Sequence, residues 1–291
     1  MKKQKMNNKI KIIMIDGFKP EYLKYATYLN SLTKEKEWGE LEMPLGFEGG
    51  MRTFFYGKNE TLAFFYKTEN SGLRWTKKFW WIGRLPIEIL INLQRLLMRK
   101  RLFRTGQIPL KKIYKFDTEI ERTFEKNDKI KYIYIGDIDK VAHKYGTESR
   151  ETEEAIRKID KIISKMKFDI ILSDHGMIDI KKIISVPETE ECLIDSTFAR
   201  YWGRKPEIDS KDGKWIEWND KRYGEYIFLA NPGVLIIPNY WQGKIPVKAM
   251  HGYSSDCKDM NGIYILNRIG KKRDIKVEEL NSIFKGMING K

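Results

Sequence analysis

The amino-acid sequence predicts an α/β fold in which helices flank a mostly parallel central sheet. Continuous apolar runs of strand length occur at residues 10–15, 131–135 and 170–172. Such runs are typical of strands that are covered on both faces of a sheet. Residues with helical periodicity lie between the runs, most clearly at 148–166. A strand, a turn and a helix that lead into a further strand form the unit from which parallel sheets are built.

The N-terminal part of the chain gives the elements in a regular order. Residues 10–15 predict a strand, and apolar residues at helical spacing predict a helix over 20–32. Residues 38–43 predict a second strand, which leads into a glycine-rich turn at 45–50 and a short helix at 51–56. Backbone amides at such a turn and helix start can hold an anion.

The C-terminal part predicts further strands and a closing helix. Strand signals occur at 192–202, 215–218, 226–237 and 262–267, and a turn-forming Asn-Pro-Gly lies inside the third of these segments. An amphipathic pattern at 277–287 predicts the last helix.

The length of 291 residues suits about two domains or one domain that carries a large insertion, and we predict a single α/β domain over 1–291. Aromatic residues crowd into 64–81, and an apolar stretch at 85–97 is flanked by Arg and Lys. We therefore predict a cap-like insertion at 61–118 and a second insertion at 200–245. Polar and charged residues interrupt the apolar stretch, so it is no membrane span. A helix at a membrane interface with a basic rim is the alternative to a cap packed on the main domain.

Composition and charge indicate a globular protein with an anionic partner. Hydrophobic residues make up 41% and charged residues 33%, which excludes a disordered chain. The net charge of +15 favours phosphorylated substrates, nucleic acid or an acidic membrane surface, although solvated basic faces would explain the same excess. Nucleic acid is disfavoured because the sequence has no recognisable nucleic-acid-binding motif. Cys192 and Cys257 lack metal-type spacing and the first apolar run is too short for a signal peptide, so we expect free thiols and a cytoplasmic location.

Acidic and histidine side chains follow the predicted strands, at the ends where ligands bind in open α/β sheets. The set is Asp16, Asp139 with His143, Asp174 with His175, and His251. The chain has three histidines, and all of them belong to this set. Carboxylate and imidazole ligands together suit zinc, manganese or iron better than calcium. Six ligands are too many for one tetrahedral zinc ion, so the pattern predicts two divalent transition-metal ions, zinc or manganese, each with an open position.

Four short motifs carry a resemblance to a known family. They are Ile-Asp-Gly-Phe at 15–18, Asp-x-x-x-His-x-Tyr-Gly at 139–146, Ser-Asp-His-Gly-Met at 173–177 and His-Gly-Tyr at 251–253. In this order they resemble the nucleotide pyrophosphatase/phosphodiesterase branch of the alkaline phosphatase superfamily. The resemblance implies that Asp139, His143 and His251 hold one ion and that Asp16, Asp174 and His175 hold the other. It also implies that the insertions form a cap that selects the substrate.

The position of the nucleophile departs from the family pattern. The resemblance implies a Thr or Ser at the helix start after the second strand, but the matching stretch at 46–50 contains no hydroxyl. Glu48 falls nearest that position, and Thr53 is the nearest hydroxyl. Glu48 would serve as a metal ligand or as a base for direct attack by water, whereas a shifted Thr53 would restore a covalent route.

These observations predict a two-metal phosphohydrolase, either a phosphodiesterase or a phosphatase. Its predicted substrate is a phosphorylated small molecule or a glycan- or lipid-linked intermediate, and the basic, aromatic insertion adds peripheral membrane contact as a prediction. The alternative is a metal-binding pseudoenzyme that binds a phosphorylated ligand without turnover.

Overall fold

The computed structural model describes residues 9–47, 49–57, 62–63, 65–67, 103–104, 114–116, 130–189, 191–239, 241–242 and 246–290. Glu48 and most of the predicted cap segment at 61–118 therefore lie outside the described residues. The second predicted insertion, at 200–245, is described except for residues 240 and 243–245. The boundaries of both insertions stay predictions.

The described part of the chain contains short strands, five α-helices and three 3-10 turns. The strands are β1 (Ile10–Ile15), β2 (Lys36–Glu42), β3 (Phe65–Lys67), β4 (Phe103–Arg104), β5 (Tyr114–Phe116), β6 (Ile130–Ile135), β7 (Ile170–Leu172), β8 (Ile178–Asp179), β9 (Lys182–Ile184), β10 (Cys192–Ile194), β11 (Phe198–Tyr201), β12 (Gly213–Ile216), β13 (Tyr226–Ala230), β14 (Val234–Ile236), β15 (Ala249–Met250), β16 (Gly262–Ile269) and β17 (Ile275–Lys276). The α-helices are α1 (Thr27–Leu32), α2 (Gly49–Tyr56), α3 (Asp137–Tyr145), α4 (Arg150–Ile163) and α5 (Val277–Gly290). The 3-10 turns are Pro20–Lys24, Ser210–Asp212 and Lys258–Met260.

Six strands form the central sheet, in the order β17-β2-β16-β7-β1-β6. β1 pairs in parallel with β6 and with β7, and β17 pairs in parallel with β2. β16 runs antiparallel to both of its neighbours, β7 and β2. All strands but β16 therefore point the same way, which confirms the mostly parallel sheet of the predicted α/β fold.

The side chains of β1 explain why its sequence is a continuous apolar run. Ile12 and Met14 pack into a core that includes residues of α2 and α5. Ile13 and Ile15 pack into a different core, which includes residues of α1 and α4. All four side chains are buried. Helices thus cover both faces of the sheet at β1.

The prediction of one helix over 20–32 is wrong, because the segment divides into a 3-10 turn at Pro20–Lys24 and the separate helix α1. The carboxylate of Asp160, on α4, accepts hydrogen bonds from the backbone N–H groups of Tyr28 and Leu29 at 2.8 and 2.9 Å. These amides lie in the first turn of α1, where a helix supplies no partner of its own. A side chain distant in sequence therefore fixes where α1 begins.

The strand signal at 192–202 is a hairpin and not one strand. β10 and β11 pair antiparallel, and the N–H of Asp195 donates to the carbonyl of Phe198 at 2.8 Å to close the turn between them. Together with β13 and β12 they form a four-stranded antiparallel sheet in the order β10-β11-β13-β12. The segment at 226–237 divides into β13 and β14 around its Asn-Pro-Gly turn, as the turn signal indicated.

Both cysteines, Cys192 and Cys257, are free thiols. The helices within the described ranges include none that is long and apolar enough to cross a membrane. The cytoplasmic location stays a prediction.

Candidate metal centre

Asp16 lies at the carboxyl end of β1, beside the end of β6. Its backbone N–H donates to the carbonyl oxygen of Ile135 at 2.9 Å. The next residue, Gly17, has a φ of 71°, and a Cβ atom there would come within 3.1 Å of the backbone of Asp139. The left-handed conformation and the close approach both favour glycine. The turn therefore brings the carboxylate of Asp16 next to the first turn of α3.

Asp139 and His143 share one face of α3 because four residues separate them. Asp139 Oδ1 and His143 Nε2 are 3.2 Å apart. His143 Nδ1 lies 2.8 Å from the carbonyl oxygen of Ala249. A carbonyl oxygen only accepts, so Nδ1 carries the proton and Nε2 keeps its lone pair for an ion.

Asp174 and His175 follow β7 directly. The N–H of Gly17 donates to Asp174 Oδ1 at 3.2 Å, which joins the turn after β1 to the turn after β7. His175 Nδ1 lies 2.9 Å from the carbonyl oxygen of Gly176, so its Nε2 is also left for an ion. A side chain at Gly176 would overlap the carbonyl oxygen of Asp259, and the turn therefore needs glycine for space.

His251 follows β15, a two-residue strand that pairs with β8 outside the central sheet. Its ring stacks on the ring of His175, with centroids 3.6 Å apart and planes 8° apart. The ring of Phe47 meets it edge-on at 5.3 Å. Thr197, in the turn between β10 and β11, donates its hydroxyl to the carbonyl of Gly252 at 2.9 Å. The antiparallel sheet thus holds the loop that carries the third histidine.

All six predicted ligands lie in one cluster. His175 Nε2 is 3.3 Å from Asp16 Oδ1 and 3.6 Å from Asp174 Oδ2. His251 Nε2 is 3.9 Å from Asp139 Oδ1. Two groups have ligand atoms within 4.8 Å of one another, Asp16 with Asp174 and His175, and Asp139 with His175 and His251. His175 is common to both groups, whereas the resemblance implied a role for it at one ion.

The polar atoms of the cluster fit divalent cations. Two buried carboxylate oxygens that face the histidines, Asp16 Oδ1 and Asp139 Oδ1, make no hydrogen bond to any described residue. An unsatisfied buried polar atom costs on the order of 1–3 kcal/mol. Cations coordinated between the carboxylates and imidazoles would offset this cost, and the mixed oxygen and nitrogen donors suit zinc or manganese.

The electrostatics of the cluster lead to the same conclusion. Burial and the neighbouring carboxylate of Asp16 raise the pKa of Asp174. Burial disfavours the charged form of His175, but Asp174 and Asp16 outweigh it and raise the pKa of His175 to about 10. Burial and the charge of His175 lower the pKa of His251 well below its usual value. A proton on His175 thus compensates crowded carboxylates in the metal-free protein, and a bound cation would take over that role.

Thr53 and Glu48 are the two candidate residues for the attack on phosphorus. Thr53 lies in α2 and is fully buried, and its Oγ1 has no hydrogen-bond partner among the described residues. Glu48 falls outside those residues. Neither is therefore placed beside the cluster by a contact.

Two aromatic residues that contact the cluster were not predicted from the sequence. Phe47 touches His251, and its place inside the stretch that matches the family's nucleophile position was the available signal. Tyr134 donates its hydroxyl to Asp16 Oδ2. Its place near the carboxyl end of β6, where ligands of the sheet gather, could have drawn attention to it.

Comparison with known proteins supports the same family. A family model described as type I phosphodiesterase/nucleotide pyrophosphatase matches residues 56–214. Ectonucleotide pyrophosphatase/phosphodiesterase family member 7 of Mus musculus is 28% identical over 78 residues, which cover 23% of this chain and only 18% of that relative.

Solved structures of murine and human ectonucleotide pyrophosphatase/phosphodiesterase 5 resemble the fold, with TM-scores of 0.66 and 0.63. Sequence identity is 15%, and the alignments cover 97% of this chain and 95% of those chains. One murine structure is an inactive variant in complex with AMP. At this identity the likeness concerns the fold alone.

The family model covers more than half of the chain and includes the motifs at 139–146 and 173–177. Asp16 and His251 lie outside the matched residues, yet the fold brings both into the cluster. The chain therefore belongs to the type I phosphodiesterase/nucleotide pyrophosphatase family of the alkaline phosphatase superfamily.

Proposed function

We propose that this protein is a hydrolase that binds two divalent transition-metal ions, zinc or manganese, and cleaves a phosphodiester or phosphomonoester. The observation that carries the proposal is the convergence of all three histidines with three aspartates at one edge of the sheet. Family membership supports phosphodiester chemistry, and the AMP bound to the murine relative supports a phosphorylated small molecule as substrate. The net charge of +15 favours such an anion.

Each ion has a set of three ligands in this proposal. Asp16, Asp174 and His175 would hold one ion, and Asp139, His143 and His251 would hold the other. When bound, such a pair supplies Lewis-acid stabilisation to the attacking and leaving oxygens of an in-line displacement at phosphorus. The carbonyls of Ala249 and Gly176 fix the tautomers of His143 and His175, so that the Nε2 atom of each imidazole is available to an ion.

Direct attack by water accounts for the described residues better than a covalent route. Thr53 is fully buried in α2, and its hydroxyl has no hydrogen-bond partner among the described residues that would activate it. Glu48 immediately precedes α2 in the sequence and is our candidate for the base. A single displacement requires no hydroxyl from the protein.

Turnover of simple phosphoesters tests the proposal. Protein freed of metal with EDTA is reloaded with Zn²⁺ or Mn²⁺ and assayed on bis-p-nitrophenyl phosphate and p-nitrophenyl phosphate. We expect metal-dependent hydrolysis that His175→Ala abolishes and Glu48→Ala reduces. The isosteric Thr53→Val is the matched control and should keep the wild-type rate. Loss of turnover in Thr53→Val alone would show a displaced nucleophile and contradict direct attack.

Stereochemistry at phosphorus separates the two routes without any mutation. A chiral phosphorothioate diester is hydrolysed in isotopically labelled water, and the configuration of the product is determined. One displacement inverts the configuration, whereas two successive displacements retain it. We expect inversion, and retention would require a covalent phosphoryl-enzyme.

The second candidate function is a pseudoenzyme that binds metal and a phosphorylated ligand without turnover. It is favoured by one observation, namely that the residue of the glycine turn in contact with His251 is Phe47, which offers no hydroxyl. Calorimetric titration of the metal-loaded protein with AMP, alongside the turnover assay, distinguishes the two. Binding of AMP with no hydrolysis of a broad phosphoester panel would support the pseudoenzyme.

The predicted insertion at 61–118 motivates our proposal for the substrate. Its aromatic and basic composition suits a cap that selects an amphiphilic anion, such as a glycan- or lipid-linked phosphate. Flotation with liposomes that contain or lack acidic lipids tests peripheral membrane contact. Flotation that is absent with both would leave only the role of a cap.

A further inference from the structure

Tyr134 connects β6 to Asp16, one of the six candidate metal ligands. It pairs with Met14 in the parallel ladder of β1 and β6, and its hydroxyl donates to Asp16 Oδ2. The backbone N–H of Asp16 donates to the carbonyl of Ile135, the next residue of β6, at 2.9 Å. β6 thus holds Asp16 by its backbone and by its carboxylate.

The hydroxyl of Tyr134 gives the two carboxylate oxygens of Asp16 different surroundings. It occupies Asp16 Oδ2, while Oδ1 makes no hydrogen bond to any residue that the structure describes and faces His175 Nε2 at 3.3 Å. Asp174 shows the same division, because the N–H of Gly17 takes its Oδ1 and its Oδ2 lies 3.6 Å from His175 Nε2. Each carboxylate therefore presents one oxygen toward the same imidazole.

Gly136 provides the space that the Tyr134 side chain occupies. A Cβ atom at Gly136 would lie 2.7 Å from the Tyr134 hydroxyl oxygen and 2.8–2.9 Å from two ring carbons. Gly136 has a φ of −103°, which other residues adopt as well, so glycine serves here to provide space and not to permit a special conformation. Tyr134 as a residue is 49% exposed, so an obstructed ring can turn outward.

We propose that Tyr134 is a positioning residue that holds Asp16 as a ligand through one oxygen for the ion shared with Asp174 and His175. The inference rests on the proposed two-ion site. Hydrogen bonds from the protein to a metal-binding carboxylate orient it, and their loss typically lowers metal affinity about 10–100-fold. Tyr134 acts on one ligand of one ion, so its loss should weaken one binding event and leave the other unchanged.

Calorimetric titration of the metal-free protein with Zn²⁺ in the presence of a competing chelator measures both binding events. We expect Tyr134→Phe to lower the affinity of one event about 10–100-fold. Gly136→Ala keeps the hydroxyl but displaces it, and it should cause the same selective loss. Tyr145→Phe is the matched control, since it removes a hydroxyl from a half-exposed tyrosine on α3, the helix that carries Asp139. It should bind both ions as the wild type does.

The outcomes separate this inference from the proposed function. Wild-type protein that binds no Zn²⁺ would overturn both. Two wild-type events that persist unchanged in Tyr134→Phe and in Gly136→Ala would overturn the role of Tyr134 alone. Equal weakening of both ions, with a lower unfolding temperature of the metal-free protein, would show a general structural role and overturn it too. If Tyr134→Phe fails to fold, judged by circular dichroism, Gly136→Ala decides.

Discussion

Replacing Arg200 by Met should destabilise the protein strongly, because it would leave a buried carboxylate without its main partner. Arg200 and Asp195 are 0% and 1% exposed, and Arg200 Nε donates to Asp195 Oδ2 at 2.8 Å. Arg200 Nη1 also donates to the carbonyl of Tyr223, and Trp241 Nε1 donates to Asp195 Oδ1 at 3.1 Å. The pair lies at the base of the β10–β11 turn, whose residue Thr197 holds the loop after His251.

Breaking one partner of a buried ion pair costs about 3–5 kcal/mol, since the remaining charge keeps its desolvation penalty. At about 2–3 °C per kcal/mol for a chain of this size, Arg200→Met should lower the melting temperature by roughly 6–15 °C. The double variant Asp195→Asn with Arg200→Met removes both charges and keeps an acceptor for Trp241. It should recover more than half of the lost stability. Urea and thermal unfolding, followed by circular dichroism, measure all three proteins.

An exposed ion pair on α4 provides the control. Arg157 and Glu153 are 2.8 Å apart, with side chains 54% and 36% exposed. Arg157→Met should cost less than about 1 kcal/mol, because water already solvates both groups. If Arg200→Met lowers the free energy of unfolding no more than Arg157→Met does, burial does not have the expected effect. A double variant that is no more stable than Arg200→Met would contradict the unpaired charge as the cause.

Three further results are expected at the metal cluster. His175→Ala and His143→Ala should each remove one ion, as measured by metal analysis of the purified proteins, because each histidine belongs to one of the two proposed ligand sets; unchanged metal content in either variant would contradict this. Zn²⁺ binding should release protons and strengthen from pH 6 toward pH 9, because a pKa of about 10 keeps His175 protonated until the ion displaces that proton. Calorimetry in buffers of different ionisation enthalpy measures the proton release, and a Zn²⁺ affinity that does not change with pH would refute the prediction. Gly176→Ala should lower metal affinity and unfolding temperature together, because its methyl group would overlap the carbonyl of Asp259. Gly286→Ala, at a position on α5 where no described neighbour lies within 4 Å of the new Cβ, should leave metal affinity unchanged and should not lower the unfolding temperature, because alanine favours a helix more than glycine does.

The centre of the sheet was predictable because β1 and β7 are buried on both faces and their sequences are accordingly almost entirely apolar. The ends of β1 and β7 then located Asp16, Asp174 and His175 without any tertiary information. The start of α1 was not predictable, since it depends on the carboxylate of Asp160, more than 130 residues later in the chain. Local periodicity cannot report a cap that comes from another helix.

The hairpin at 192–202 and the aromatic contacts of the cluster were missed for a related reason. An apolar run shows neither where the chain reverses nor which partner a ring meets, and short runs are therefore ambiguous. Tyr134 has the sequence appearance of an ordinary strand residue, and only the register that places it beside Met14 sets its hydroxyl on Asp16. The sequence indicates the residue types of the candidate ligands, whereas the groups that hold these side chains depend on pairing across the sheet.

Phe47 packs against His251 in the stretch where the family resemblance implies a hydroxyl. Its ring packs 5.0 Å from Phe198 and 5.3 Å from His251, and a Cβ atom at Gly252 would lie 2.7 Å from it. Exchanging Phe47 for serine would therefore open a cavity among buried rings, at a cost of about 3–5 kcal/mol, and would withdraw a contact from His251. An aromatic side chain here is thus part of the wall that supports a proposed metal ligand. We therefore expect that a hydroxyl introduced at position 47 would not by itself create a covalent route, which agrees with the proposed direct attack by water.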